Sequence, residues 1–587
     1  MKTLIDLITE QVTNAFTGQG YDAKYGKVTL SNRPDLCEYQ CNGAMAAAKE
    51  YKCAPFMISD KIAQALAENE LFESVESVKP GFINMKVSPA YLAKYVSDMK
   101  ADEGRFGCDK AAHPKTIIVD YGGANVAKPL HVGHLRSAVI GESIKRIGKF
   151  MGHNMIGDVH LGLIIVELKE RKPDLVYYDE SYTGEYPKEA PFTISELEDI
   201  YPTASKKSKE DEAFREAAME ATSQLQAGRR GYRALLAHIL DVSVTDLKKN
   251  YDNLNVSFEL WKGESDAQPY IPDMVQMMKD KGFAYMSEGA LVVDVKEDTD
   301  TKEIPPCIIL KSDGASLYST TDLATIVMRM QDYNPDAIIY LTDQRQSMHF
   351  VQVFRCARKT GLVGPDVELT HIGFGTMNGK DGKPFKTRDG GVMRLEYLLD
   401  EINEEMLKKI TENQKEKENL DISEEEAKQT AKTVALAAVK YGDLSNQASK
   451  DYCFDIERFT SFEGNTGPYI LYTIVRIKSI LKKYTAKNTL PDAPILGAHS
   501  ASEKNLMLVL SRFNAMMENA YEEKAPHKIC AYIYELANAF NGFYHETKIL
   551  SEEDLKVQAS YIGLLVLTKN ILETCIDVLG FSAPDRM

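Results

Sequence analysis

The spacing of apolar residues changes character along the chain and divides it into stretches of different expected architecture. Met1-Lys-Thr-Leu-Ile-Asp-Leu-Ile-Thr-Glu10 sets acids among apolar residues, which predicts an amphipathic helix and not a signal peptide. Gly81-Phe-Ile-Asn-Met-Lys-Val87 alternates as a half-buried strand does, with helical spacing around it at Ala44–Tyr51, Lys61–Glu68 and Pro89–Lys100. Residues 1–110 are therefore expected to form an α+β domain, bordered by His113-Pro114. From residue 115 short apolar runs alternate with helical stretches: Ile117–Val119, Met155–Gly157, Leu291–Val293, Ile338–Leu341 and Leu369–Ile372. Strands joined by helical crossovers predict an α/β domain over residues 115–400, a doubly wound parallel sheet of Rossmann type.

Residues 171–260 interrupt that pattern with polar stretches such as Ser205-Lys-Lys-Ser-Lys-Glu-Asp-Glu212, read as a mostly helical insertion with a solvated face. Glu404 to Lys428 reads as a solvated helix, so residues 401–454 are expected to be a helical connector. Beyond residue 455 the spacing is helical throughout. Leu506, Val509, Leu510, Phe513 and Met517 share one face; Ile533, Leu536, Ala537, Phe540 and Tyr544 share another; Leu564, Leu567, Ile571, Cys575 and Val578 a third. Residues 455–587 are expected to be an all-α bundle.

Composition changes little in this picture. A chain of 587 residues, 44% hydrophobic and 27% charged, reads as a folded protein of several domains. No apolar run approaches the roughly 20 residues of a bilayer crossing, so no membrane partner is expected. Nine cysteines are scattered singly, and the closest pair, Cys37 and Cys41, lacks the second pair of a zinc site. Reduced thiols, a cytoplasmic location and no protein-bound metal are expected. The net charge of −16 argues against a broadly basic nucleic-acid coat while leaving room for a local basic surface.

The chemistry concentrates in Tyr121-Gly-Gly-Ala-Asn-Val-Ala-Lys-Pro-Leu-His-Val-Gly-His-Leu-Arg-Ser137. It follows a strand-like run ending at Asp120 and leads into helical spacing over Ser137–Met151. A helix N-terminus offers unpaired N–H groups and a positive dipole end. His131 and His134 would add donors for phosphate oxygens, Gly133 would let an adenine lie against backbone, and Lys128 is a further cation within reach. Much later comes Gly379-Lys-Asp-Gly-Lys-Pro-Phe-Lys-Thr-Arg-Asp-Gly-Gly391, a Gly-rich cationic stretch that suits closure over a polyphosphate and equally suits an ordinary basic turn.

His131-Val-Gly-His134 resembles the HIGH motif of class I aminoacyl-tRNA synthetases, and Lys383-Pro-Phe-Lys-Thr387 resembles their KMSKS loop with Pro384-Phe385 in place of Met-Ser. The run Asn125-Val-Ala-Lys-Pro-Leu130 and the Pro-Phe-Lys-Thr-Arg variant resemble arginyl-tRNA synthetases in particular. The likeness extends to Phe462-Glu-Gly-Asn-Thr-Gly-Pro-Tyr469, Leu536-Ala-Asn-Ala-Phe-Asn-Gly-Phe-Tyr544 and the terminal Ser582-Ala-Pro-Asp-Arg-Met587. It implies ATP-dependent ligation of L-arginine to tRNA(Arg) through an arginyl-adenylate, with ATP and Mg2+ as substrate complex and activation that requires bound tRNA. His131, His134, Lys383, Lys386 and Lys128 would be catalytic. Gly133 and His349 would join His131, His134 and Lys386 at the nucleotide, although His349 also reads as a structural histidine.

A guanidinium needs carboxylates and neutral acceptors around five N–H donors. By resemblance Asp120, Asn125, Tyr318, Asp322 and Gln346 hold substrate arginine; several family members carry Glu where Asp120 stands. Tyr318 and Asp322 are four apart and can share a helix face. Singly, each has a plain alternative: Asp322 complements a helix dipole and Asn125 caps a turn. The resemblance makes the first domain a reader of the tRNA elbow through Tyr39, Gln40 and Asn42, and the last an anticodon-binding bundle. Tyr544, Tyr469 and Phe462 there suit either base stacking or a core. A monomer is expected. Rival readings are a noncatalytic tRNA-binding relative, a small nucleotidyltransferase, which leaves the bundle unexplained, and a metal hydrolase using both histidines, which lacks a third ligand.

Overall fold

The computed structural model describes residues 1–123, 130–161, 166–226, 228–312, 314–383, 393–416 and 423–587. Two compact units result: residues 112–460 with 579–581, and residues 1–111 with 461–578 and 582–587. The N-terminal and C-terminal stretches, expected as separate domains, thus belong to one unit. The connector expected at 401–454 lies wholly within the other.

The larger unit is built on five strands, β1 (Thr116–Asp120), β2 (Asn154–Leu161), β3 (Leu260–Gly263), β4 (Ala337–Asp343) and β5 (Glu368–Phe374). Their spatial order is β5-β4-β1-β2-β3 and every pairing is parallel. That is the 3-2-1-4-5 order of a Rossmann-type half, in which the strand order reverses between β1 and β4 and opens a ligand crevice at the carboxyl edge. Asp120 and Asp343 end the two strands flanking that switch. The strand cores are apolar because helices cover both faces: Ile118, Val119, Ile338 and Ile339 are buried.

Leu291–Val293 departs from expectation. It lies in a separate three-stranded antiparallel sheet, Ala284–Ser287, Ala290–Val293 and Cys307–Leu310. Glu288 and Gly289 both adopt positive φ, 49° and 85°. A two-residue turn of that kind returns the chain antiparallel and leaves no room for a crossover. The strand that fills the sheet instead is β3, too short and too polar in Leu260-Trp-Lys-Gly263 to signal itself. The insertion before it is helical, with helices at Ile194–Glu210, Glu212–Gln226 and Arg230–Asn253.

In the smaller unit, Val28–Leu30, Tyr39–Cys41, Phe82–Val87 and Phe72–Val78 form an antiparallel sheet in that order, flanked by helices Leu4–Gly18, Gly43–Tyr51, Pro55–Leu66 and Pro89–Ala101. Its helical part contains Gly467–Thr485, Ala501–Leu510, Phe513–Glu522, Pro526–Glu546 and Leu555–Val578. The expected core faces are buried apart from Tyr544, which is half-buried, and the first is split between two helices at Ser511-Arg512. Leu555–Val578 is long and apolar enough, at a mean hydropathy of 1.2, to cross a membrane by length and composition, against the expectation of no such run. It is a core helix of the bundle: 67% of its apolar window is buried.

Candidate active site

The histidine helix, Val132–Phe150, starts at the first histidine and not at Ser137. His131 is its N-cap: its Nδ1 accepts the Gly133 N–H at 3.1 Å, while the His131 N–H donates to Nδ1 of His134 at 3.2 Å. The two rings lie 3.9 Å apart at 38°. With each Nδ1 accepting from backbone, the ring proton of each neutral imidazole belongs on Nε2, which makes both rings donors at the helix N-terminus. Gly133 is required for a reason beyond nucleotide clearance: a Cβ there would stand 2.8 Å from Cε1 of His131.

The loop entering this helix is anchored at its start. Tyr121 is buried beneath the helix, donating to Glu142 at 2.8 Å and to the Ser257 carbonyl at 2.9 Å. Burial, then Glu142, raises its phenol well above the usual range, so it remains a donor. Gly122, at φ 94°, accepts from the Tyr251 hydroxyl where any side chain would strike Phe258 and Tyr251. Asn125 and Lys128 lie outside the described residues, as does Lys386.

Lys383 is exposed on a tight turn, its carbonyl accepting from Gly379 N–H at 2.8 Å. This turn sits on a stem held against a later segment: Met377–Asn378 pairs with Tyr452–Cys453, and Lys380 reaches Asp455 at 3.1 Å. Where the described chain resumes, Val132 N–H donates to the Met393 carbonyl at 3.1 Å, Leu395 N–H donates to the Leu130 carbonyl at 2.9 Å, and Arg394 bridges to His131. Met393–Leu395 therefore runs antiparallel along Leu130–Val132, against the capping residue of the histidine helix.

The remaining candidates gather around the helix Tyr318–Tyr333. Asp322 lies 2.5 Å from Nε2 of His349, at the start of the helix Ser347–Lys359 that follows β4. Two turns further along the same face, Arg329 is fully buried, 2.6 Å from Asp120 and 2.8 Å from Asp158. Asp120 pairs in register with Tyr340 across the switch point. Tyr318 begins the helix and is 77% exposed; Gln346 lies on the exposed turn joining β4 to the next helix. Burial, then the neighbouring His349, holds the His371 imidazole below its usual range. It stacks on Phe350 at 4.6 Å and pairs with Thr342 at 2.8 Å, so it fills the wall behind His349 as a neutral ring. Asp158 and Arg329 were not signalled by the sequence; the hint was a lone arginine inside the apolar run Ala324-Thr-Ile-Val-Met-Arg-Met330.

His349 is thus engaged with an acid of the expected arginine pocket. Tyr39 is a correction: it is 2% exposed, because strand alternation turns Tyr39 and Cys41 into the core and Gln40 outward. Gln40 donates to Asn84 at 2.8 Å, and Asn42 is exposed at a helix start. Tyr544 is half-buried between Phe540, at 6.0 Å, and the guanidinium of Arg476, at 5.3 Å. Among the described residues no group of three or more His, Cys, Asp or Glu is placed to hold a metal.

Residues 96–456 match the family described as tRNA synthetases class I (R), catalytic domain; residues 2–87 match an arginyl tRNA synthetase N terminal domain and residues 470–587 a DALR anticodon binding domain. The chain belongs to the arginyl-tRNA synthetase family. It is 79% identical to the arginine–tRNA ligase of Agathobacter rectalis and 57% identical to that of Alkaliphilus oremlandii, in each case over the whole of both chains. The fold is shared with arginyl-tRNA synthetases of Plasmodium falciparum (TM-score 0.81, 24% identity, 100% of both chains) and Thermus thermophilus (TM-score 0.78, 21% identity, 99% of this chain and 100% of the other). As a member of this family, the synthetase ligates L-arginine to its tRNA at the expense of ATP through an arginyl-adenylate, releasing AMP and pyrophosphate.

Proposed function

We propose that the histidine helix and the lysine loop carry the adenylation step as one device. The arginine carboxylate attacks the α-phosphorus of ATP and pyrophosphate departs in line, so the protein's work is positioning and charge stabilisation. His131 and His134 donate from Nε2 to phosphate oxygens as negative charge builds, Gly133 leaves space for the nucleotide, and Lys128, Lys383 and Lys386 neutralise the departing pyrophosphate. Magnesium arrives with ATP, held by phosphate oxygens and water. The observation that supports this is the bonding of Met393–Leu395, which follow the lysine loop in sequence, along the backbone of Leu130–Val132 at the start of the histidine helix.

At the other end of the crevice, Asp322 and the second oxygen of Asp120 receive the substrate guanidinium, with Asn125, Tyr318 and Gln346 completing the ring of acceptors. His349 serves this pocket by orienting Asp322, a role preferred over a nucleotide contact because of the 2.5 Å pairing. Gln40 and Asn42 meet the tRNA elbow, and Tyr544 with Arg476 offers a stacking and cationic surface to unpaired bases. The enzyme acts as a cytoplasmic monomer, away from membranes, and activates arginine only with tRNA bound. Arginine- and tRNA-dependent exchange of pyrophosphate into ATP tests the phosphate roles. Lys383→Ala should lower its kcat and leave the arginine KM in place; an unchanged kcat would remove Lys383 from the mechanism.

A further inference from the structure

Arg136 lies two residues beyond His134 on the histidine helix and is 1% exposed. Its Nε donates to Oδ2 of Asp443 at 3.0 Å, and its Nη1 donates to the carbonyls of Gly375 at 2.8 Å and Lys450 at 2.9 Å. The guanidinium lies 5.0 Å from the ring of Tyr452, whose hydroxyl donates to the same Asp443 oxygen at 2.9 Å. Gly375 closes β5 and opens the stem of the lysine loop. Its N–H donates to the Ala448 carbonyl at 2.9 Å, and the Thr376 N–H donates to Asp451 at 2.7 Å. Only glycine fits there, since a Cβ would stand 2.5 Å from Asp451 and 2.6 Å from the Lys450 carbonyl carbon. One buried side chain of the histidine helix therefore grips both strands of the stem, Gly375 directly and Tyr452 through Asp443.

A fold needing only a stable core would place apolar groups here. A buried ion pair contributes little net stability compared with an apolar replacement of the same volume. Burial pushes the Asp443 carboxyl up, opposed by Arg136. The second terminal nitrogen of Arg136 and the second oxygen of Asp443 have no hydrogen-bond partner among the described residues. What the charges do supply is a rigid planar fork with fixed directions.

We propose that Arg136 is a positioning residue for adenylation, setting the stem of the lysine loop at a fixed distance from His131 and His134. This rests on the roles proposed above for the histidines and loop lysines. The fork reaches two carbonyls and a carboxylate at once, which a lysine cannot do, so Arg136→Lys should keep the charge and lose the alignment.

The test uses the full-length enzyme, thermal unfolding, and arginine- and tRNA-dependent pyrophosphate exchange. The triple variant Arg136→Met, Asp443→Leu, Tyr452→Phe removes the charges and hydroxyl together; it leaves the Gly375 and Lys450 carbonyls without the Arg136 donor, so its midpoint should fall but stay above the assay temperature. Its kcat should nevertheless fall about tenfold or more with the arginine KM unchanged, as expected when only transition-state alignment is lost. Adding Lys386→Ala should cost less than roughly a further twofold, because the lysine acts through the same alignment. Wild-type kcat in a stable triple variant, or losses that multiply in full, would overturn the proposal. If the triple variant unfolds early, Arg136→Lys decides: a reduced kcat at a retained midpoint supports the proposal, and a wild-type kcat overturns it. If His134→Ala and Lys386→Ala are themselves silent, the adenylation reading has failed, and not merely this part of it.

Discussion

At the proposed phosphate end of the crevice the histidine helix contributes aimed donors, while the full charges assigned to that end, Lys128, Lys383 and Lys386, come from outside the helix. Two imidazoles are each tied through Nδ1 to backbone N–H groups of one helix turn. The end proposed for arginine is built on two carboxylates, Asp120 and Asp322, each already paired, with a buried guanidinium and with an imidazole respectively. The contrast follows from the ligands. A triphosphate brings its own charge and counter-ions, so donors aimed from the helix start and lysines outside it act on charge that builds as pyrophosphate leaves. A guanidinium must be discriminated from other side chains, which takes desolvated carboxylates, and these fold only beside internal cations.

The comparison breaks most visibly at Arg329. Arg329→Met removes the buried guanidinium that pairs with both Asp120 and Asp158 and should destabilise the catalytic unit by about 3–5 kcal/mol, read as a lowered midpoint of thermal unfolding. An unchanged midpoint would mean that the acids of the arginine end do not depend on it. His134→Ala tests the opposite end. Removing one pre-aimed donor should slow pyrophosphate exchange about 100-fold, or about 2.7 kcal/mol, with the arginine KM within about twofold of wild type. A large rise in arginine KM would show that the two ends are not separable.

The same contrast explains what the sequence disclosed. The phosphate end is legible because its geometry is local: strand, glycines, capping histidine and helix are contiguous, so Thr116 to Phe150 reads almost directly as structure. The histidines stand at a helix start as expected, and the helix begins at Val132, five residues before the helical spacing marked from Ser137. The arginine end is assembled from β1, β2 and a helix two hundred residues later, and no local spacing marks Arg329 as the partner of Asp120 and Asp158. Leu291–Val293 was misplaced for a related reason: an apolar triplet looks alike in parallel and antiparallel sheets, and only the Glu288-Gly289 turn separates them. Tyr39 failed on burial, which strand alternation could have signalled through its neighbour Cys41.

Asp322→Asn keeps the shape of its side chain and removes the charge. The arginine KM should rise about 30-fold, close to 2 kcal/mol for a charged hydrogen bond, with the ATP KM unaltered. Equal loss at both substrates would move Asp322 out of the pocket and into general support of the helix Tyr318–Tyr333.

The smallest effect is the most discriminating. His349 has two readings, as a nucleotide contact and as the residue that orients Asp322, and they predict opposite kinetic signatures. His349→Asn shortens the side chain so that its amide no longer reaches Asp322 as Nε2 does, and it loses the ring that packs at 5.2 Å against Phe350. If His349 orients Asp322, the carboxylate gains rotational freedom, and the arginine KM should rise about fivefold, close to 1 kcal/mol for one hydrogen bond, while the ATP KM holds. The double variant with Asp322→Asn should then be no worse than Asp322→Asn alone, because the acid it orients is already neutral. A rise in the ATP KM with normal arginine binding would instead assign His349 to the phosphate end. The two ends would then share a wall through the helix Ser347–Lys359, and their separation would be one of chemistry without being one of structure.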